Sequence, residues 1–417
     1  MASAPSMPRR RGQAATPQPL TGLRVLEVGD FIAAPYAGKL LADLGAEVIK
    51  IERPVRGDTS RDFGPFTNDR PDSDGSGLYG YVNANKLGVT LDLEMRSGRD
   101  LFLRLAEQAD VVLDGDPQRQ LRRLSLGYPM LREVNPRLVM TSVTAFGLTG
   151  PYAGYRGNDL IALHASGTGH RQIGYPDREP IRAAWYQADH WGAINAATGT
   201  MIALEAREYT GRGQHVDIAS AEALAAMFVA YNNIGLWRDR GFMQGRSGHL
   251  WTNSYMGILP CKDGYVFIFP PDDHMWQGML HAMGDPEWAT APQFADRAER
   301  TNHWQEILDL LLDWLKDQTK EEVFQKSQAY RAPNTAVYDM REVFENDHLR
   351  ERLFFLPLQM PSGETYEAPG APYRFSRGGW AMRSAAPRLG QHNAEVFCKR
   401  LGLSRLQLAA LGRAGVV

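Results

Sequence analysis

The chain has 417 residues, 43% of them hydrophobic and 23% charged, the balance of a soluble globular protein. That length exceeds one ordinary core, so two domains are expected. A net charge of −2 gives no electrostatic case for nucleic acid or an anionic membrane as partner, and no apolar run approaches the ~18 residues of a membrane span. Cys261 and Cys398 stand far apart and in no metal-ligand spacing, which suits reduced thiols in a cytoplasmic protein without a metal centre.

Residues 1–18 are rich in Ala, Pro and Arg, have no apolar core of a signal peptide, and read as a disordered tail. Leu23 to Val28 is a short apolar strand ending at Gly29. A helix from about Ala34 to Leu44, stopped by Gly45, leads into a second strand, Glu47 to Glu52. The connection of this βαβ unit is expected to be right-handed. Its first turn, Gly29 to Pro35, lacks the G-x-G-x-x-G that seats a pyrophosphate, so neither NAD nor flavin is expected, although Glu52 stands where a dinucleotide fold holds a ribose.

Arg56 to Gly80 is Gly-, Asp- and Ser-rich and reads as a long surface loop. Strands at Val89 to Leu93, Val111 to Leu113 and Leu138 to Val143 alternate with helices, which predicts a doubly wound parallel sheet. Helices follow near Asp159 to Ala165, from Asp189 to Arg207, and from Ser220 to Trp237. Strands Tyr255 to Leu259 and Tyr265 to Phe269, with helices at 276–283, 304–316 and 321–328, form a second α/β region; the last helix opens with a Thr319…Glu322 capping box. From Val337 the pattern gives a helix, two or three strands around Gly363 and terminal helices at 391–400 and 403–412. The resulting division is a large domain over 19–240, a small domain over 245–330, and a segment, 335–417, that returns to the large domain.

The stretch Tyr186 to Gly199 carries the candidate chemistry. It sets Asp189 in the first turn of a helix, followed by Gly192, Ala193, Ala196, Ala197 and Gly199, small residues that let a backbone or ligand come close. A carboxylate there caps orphan N–H groups and meets the positive helix end, which predicts that it stays ionised at neutral pH. An ionised carboxylate is a nucleophile in waiting. The residues alone also allow Asp189 to be an N-cap and nothing more.

Several blocks then bear on the question in order: Leu20-Thr21-Gly22-Leu23-Arg24-Val25-Leu26-Glu27, Leu44 to Glu52, Asn83-Ala84-Asn85-Lys86, Thr210 to Asp217, Lys262-Asp263-Gly264-Tyr265 and Pro387 to His392. In sequence and spacing the chain resembles the class III CoA-transferase family, which includes formyl-CoA transferase, carnitine CoA-transferases and α-methylacyl-CoA racemase. The resemblance implies a Rossmann-like large domain completed by the C-terminal segment, a smaller α/β domain and an interlocked homodimer. It implies that Asp189 is the nucleophile, and that acyl-CoA and a carboxylic acid are the substrates. It implies CoA contacts at Arg53 and Arg123, with Lys86, Arg119 and Arg122 as further cations and Phe31, Ile32, Ala33 and Leu91 along the CoA path.

The chain also departs from the family pattern. Asp114-Gly115-Asp116-Pro117-Gln118-Arg119 replaces an Asn- and aromatic-bearing loop, Ile32 replaces the glutamine of formyl-CoA transferase, and the glycine-rich loop is missing between Gly245 and Asn253. A formyl or oxalyl substrate is therefore not expected; Trp185, Tyr186, Trp191, Trp237 and Trp251 suggest a larger apolar acyl pocket. The alternatives are a 2-methylacyl-CoA racemase, whose base and acid positions hold Asn158 and Asp273 here, and a CoA-binding paralogue without transferase activity.

Overall fold

The computed structural model describes residues 17–115, 120–228, 235–243, 245–251 and 253–417. They form two compact units: the first comprises the described residues within Met1–Ser166, Ala184–Ala230 and Phe354–Val417, the second those within Gly167–Ala183 and Tyr231–Leu353.

The first unit is built on six parallel strands: β1 (Arg24–Gly29), β2 (Glu47–Glu52), β3 (Leu87–Thr90), β4 (Val111–Gly115), β5 (Val139–Thr144) and β6 (His215–Ala219), in the order β3-β2-β1-β4-β5-β6. Side chains alternate between faces, as the strand period demands. On one face Val25, Val48, Val111 and Leu113 pack against helices α1 (Ala33–Asp43) and α8 (Gln187–Thr210). On the other, Leu26, Val28, Ile51 and Val112 meet residues of helix α3 (Arg96–Ala106) and Leu131 of α5 (Tyr128–Val134). Shorter helices complete the unit: α2 (Gly77–Val82), α4 (Gln120–Arg123), α6 (Asp159–Ala165) and α9 (Ser220–Phe228).

The α1 and α8 faces are lined by small residues, Ala34, Ala37 and Gly38 against Ala188, Gly192, Ala193 and Ala196. That lets the helices lie close to the sheet: a Cβ on Gly115 would sit 2.4 Å from Cβ of Ala34. The strand order reverses between β1 and β4, so a crevice opens beyond Gly29 and Gly115, the place where doubly wound sheets take ligands.

The C-terminal segment contributes the hairpin β10 (Phe355–Gln359) and β11 (Thr365–Pro369), a π-helical stretch Ala394–Arg400, and α17 (Arg405–Arg413). Val396, Phe397, Leu401 and Val416 close the core under the sheet. His392 and Asn393 run along the edge strand β3: the Gly88 N–H donates to His392 Nδ1 at 3.0 Å, the Thr90 N–H to Asn393 Oδ1 at 2.9 Å, and the Gly88 carbonyl accepts the His392 N–H at 2.9 Å.

The second unit holds α7 (Thr168–Gln172), α10 (Gly235–Arg240) and an antiparallel sheet of β7 (Gly257–Cys261), β8 (Gly264–Ile268) and β9 (Thr335–Ala336). Helices α11 (Asp273–Ala282), α12 (Arg297–Asn302), α13 (Trp304–Leu315), α14 (Lys320–Ala329), α15 (Met340–Glu345) and α16 (Asp347–Glu351) follow in chain order around it. The Thr319–Glu322 capping box is present.

Several expected boundaries move. Residues 335–353 belong to the second unit, because β9 pairs with β8 and Lys320 binds Glu342. Residues 167–183 also join it, held by the Arg246 guanidinium, which donates to the carbonyls of His170, Tyr175 and Arg178. The helix expected over Ser220 to Trp237 is seen as α9 and α10, with the intervening residues outside the described ones. The 1–18 tail lies outside them too, except Pro17 and Gln18; the Gln18 side chain donates to the carbonyls of Asp43 and Gly379.

The supposed surface loop, Arg56 to Gly80, is partly core. Arg61, 2% exposed, forks onto Glu52 at 2.8 and 2.9 Å, donates to Tyr79 Oη at 2.6 Å and reaches the Pro387 carbonyl at 3.0 Å. Glu52, at the ribose position of a dinucleotide fold, is here paired with an arginine in the core. Among the described residues, no helix is long and apolar enough to cross a membrane and no His/Cys/Asp/Glu group is arranged to hold a metal ion.

Candidate active site

Asp189 is the third residue of α8, at the floor of a cavity of about 410 Å³ lined also by Asp30, Thr59, Gly115, Thr144, Asn158 and Ser220. The lining comes from the carboxyl ends of β1, β4 and β5 and from the starts of α6, α8 and α9. Gly192, one turn into α8, sits so close to α9 that an added Cβ would meet Ser220 Oγ at 2.3 Å.

The helix start is unusual. Trp185 and Tyr186 both have left-handed backbones (φ 57° and 49°), and the Tyr186 side chain makes no cap. The cap comes from another helix: Asp159 Oδ1 accepts the N–H groups of Ala188 at 2.7 Å and Asp189 at 3.2 Å. Asn158 in turn caps α6 by accepting the Ile161 N–H at 3.0 Å.

The sequence expectation of a capping, fully ionised Asp189 is therefore corrected. Its carboxyl caps nothing, part of it opens to the cavity while protein surrounds the rest, and its pKa is pushed up to about 7, first by burial and then by the Asp159 charge. Asp30, in the wall of the same cavity, is raised to about 6 by burial and by Asp58, despite hydrogen bonds from the Thr59 N–H (2.7 Å) and hydroxyl (3.0 Å).

Behind this wall lies a buried ionic network. Lys50 Nζ binds Glu27 at 3.0 Å and Asp58 at 2.6 Å, and Lys86 Nζ binds Glu27 at 2.7 Å, all with side chains out of solvent. At Lys50 desolvation is outweighed by the Asp58 and Glu27 charges, which together hold its pKa above the lysine range; at Lys86 desolvation outweighs the Glu27 charge and pulls the pKa down to about 8. Asp58 Oδ1 accepts the Phe31 N–H at 3.1 Å, fixing Phe31 in a left-handed conformation (φ 67°).

The predicted CoA contacts divide. Phe31 and Ala33 line the Asp189 cavity, whereas Ile32 is fully buried at the start of α1. Lys86 is corrected: it is 2% exposed and spent on Glu27, Asn83 and the Pro35 carbonyl, so it offers no charge to a phosphate. The Leu91 side chain, 1% exposed, belongs to the core.

Arg53 lines a separate small cavity at the end of β2, with Arg56 and Asp58. Arg123 is exposed and ion-paired with Glu94. Arg122 is exposed and donates to the Leu148 carbonyl at 3.4 Å, and Arg119 lies outside the described residues.

Trp185, Tyr186 and Trp191 belong to the first unit; Trp237 and Trp251 belong to the second. Asp273, at the racemase acid position, starts α11 of the second unit and pairs with Arg300. Asp159 and Asp30 went unread as site residues. The Asn158-Asp159 pair before an apolar run is a capping signal, but nothing local says that Asp159 caps a different helix.

A pocket at the switch point of a doubly wound sheet, with a helix-start carboxyl in its lining, is where an α/β fold of this topology takes its ligand. The chain belongs to CoA-transferase family III, whose model matches residues 20–393. It is 34% identical to succinyl-CoA–D-citramalate CoA-transferase of Chloroflexus aurantiacus over 95% of this chain and 97% of that one. It is also 34% identical to a subunit of succinyl-CoA:(R)-benzylsuccinate CoA-transferase of Thauera aromatica, over 92% and 94%. A crystal structure of a CaiB/BaiF family protein from Brucella suis superposes with a TM-score of 0.80 at 28% identity, covering 92% of this chain and 99% of that one.

Proposed function

We propose that this CoA-transferase moves CoA from an acyl-CoA to a free carboxylate through covalent catalysis by Asp189. The observation that carries the reading is the Asp189 carboxyl at the floor of the switch-point cavity. A carboxylate oxygen of Asp189 attacks the thioester carbon; the C–S bond breaks, CoA leaves as thiolate, and a mixed anhydride remains. The thiolate then attacks the aspartyl carbonyl, releasing the donor acid and leaving an aspartyl-CoA thioester. The acceptor carboxylate repeats the sequence in reverse, ending as its CoA thioester and restoring Asp189. Electrons and atoms balance with no co-reactant.

Arg53, Arg123 and Arg119 are the proposed phosphate contacts, with Phe31 and Ala33 against the pantetheine end; the enzyme is proposed to act in the cytoplasm as an interlocked homodimer. Five of the relatives carry succinyl-CoA in their names, so the succinyl group belongs in any comparison of acyl groups made with this enzyme. Against the racemase reading, Asn158 cannot act as a base, and its amide oxygen is committed to the Ile161 N–H. Hydroxylamine trapping followed by peptide mass spectrometry tests the proposal: a hydroxamate on Asp189 after incubation with an acyl-CoA is expected, and a trapped adduct elsewhere overturns it.

A further inference from the structure

Beside the Asp189 pocket the first unit contains a second, larger cavity of about 730 Å³ that the CoA chemistry leaves unused. Its walls include Leu78 of α2, Leu358 and Ala368 of the β10–β11 hairpin, Phe66 and the Trp185–Tyr186 turn. The two cavities share Phe63, which lines both. Phe31 stands edge-on to Phe63 (ring centroids 4.9 Å apart) and to Tyr186 (4.8 Å), so three aromatic rings make the partition between them.

The partition is held in place from behind. Phe31 is fixed by its N–H bond to Asp58, which Lys50 anchors at 2.6 Å. Tyr186 is fixed by the start of α8, where its carbonyl accepts the His190 N–H at 3.1 Å. His190 itself lines the large cavity, one residue after the carboxylate that would carry the acyl group.

Resting on the transfer chemistry at Asp189, we propose that this cavity receives the apolar tail of the acyl group, and that the enzyme's substrate is an alkyl or aryl monocarboxylate. The volume lies within the range of small-molecule sites, and the lining is dominated by aromatic and aliphatic side chains. Among the described residues no Lys or Arg lines it, while Glu367 does, so the second carboxylate of a succinyl- or malyl-type group would meet an acidic side chain and no guanidinium or ammonium there, which disfavours it. In this proposal Phe63, the residue common to both linings, is the ring that turns aside for a chain leaving the thioester carbon at Asp189, whose methylenes or ring are then buried beyond it.

The test is isotope exchange of a free acid into its own CoA thioester, run for acetyl, butyryl, octanoyl, 3-phenylpropionyl and succinyl groups. For the unmodified enzyme, kcat/KM for the octanoyl or phenylpropionyl group is expected to exceed those for acetyl and succinyl at least tenfold. Leu78→Trp, which fills the cavity, is expected to cut that ratio at least tenfold. The unmodified series decides on its own if Leu78→Trp does not fold. Exchange that is lost in Asp189→Asn yet fastest with succinyl, or flat across the series, overturns the cavity assignment and leaves the Asp189 chemistry standing. Absence of exchange with every acid removes both.

Discussion

The Asp159 carboxylate caps the helix that carries Asp189, accepting the N–H of Asp189 itself at 3.2 Å. One residue thus fixes the backbone of the candidate nucleophile and, by its charge, keeps that nucleophile's proton on longer. Because attack requires the carboxylate form, kcat/KM is expected to rise with pH, with its midpoint near 7. Asp159→Asn keeps an acceptor for the helix but removes the charge, so the midpoint should move about one pH unit toward acid. Burial, the larger cause, remains, so the midpoint stays above that of an ordinary aspartate. A pH profile measured between 5 and 9 checks both; an unmoved midpoint means that Asp159 only caps.

Asp189→Asn should abolish transfer while raising stability. A buried carboxyl whose pKa is lifted from 3.8 to about 7 folds at no ionisation cost below pH 4; the cost grows between pH 4 and 7 and is complete above it. Asparagine escapes the cost, which is on the order of 2 kcal/mol for a side chain still partly open to its cavity. Urea denaturation at pH 5 and pH 8 checks this, with the stabilisation expected to be larger at pH 8.

Arg53→Ala and Arg123→Ala should each weaken CoA binding about tenfold, the usual scale for one charge-assisted phosphate contact. A pantetheine thioester without the nucleotide should bind equally to all three proteins. Equal losses for both ligands in a calorimetric titration would assign the arginines to the scaffold.

Arg61→Lys keeps the charge and loses the fork. The guanidinium holds Glu52, Tyr79 and the Pro387 carbonyl together in the core, and a lysine cannot serve all three. A loss of about 3 kcal/mol in unfolding free energy is expected, near the cost of breaking a buried pair.

Much of this was legible in local sequence because its cause is local. Strand alternation and the helix stop at Gly45 give β1-α1-β2, and the Thr319–Glu322 box appears where its spacing requires. Asp189 was legible as a helix-start carboxylate. Its protonation was not, since Asp159 lies far along the chain and burial is a tertiary property. Lys86 misled for the same reason: its partner Glu27 lies on β1, far back in the chain, and composition treats an unpaired lysine as surface. The second unit's claim on 335–353 depends on the two-residue strand Thr335–Ala336, too short to show any periodicity.

The bonds from His392 and Asn393 to β3 also set a timetable for synthesis. A ribosome adds about 5–20 residues per second, so tens of seconds separate the emergence of Gly88 and Thr90 from that of the side chains that accept their N–H groups. Throughout that interval the outermost strand presents open hydrogen-bonding groups, the template on which nascent chains stick to one another. The imidazole and amide that arrive last close that edge, so a ribosome stalled before residue 392 releases a chain exposed to aggregation with every strand of the sheet already made.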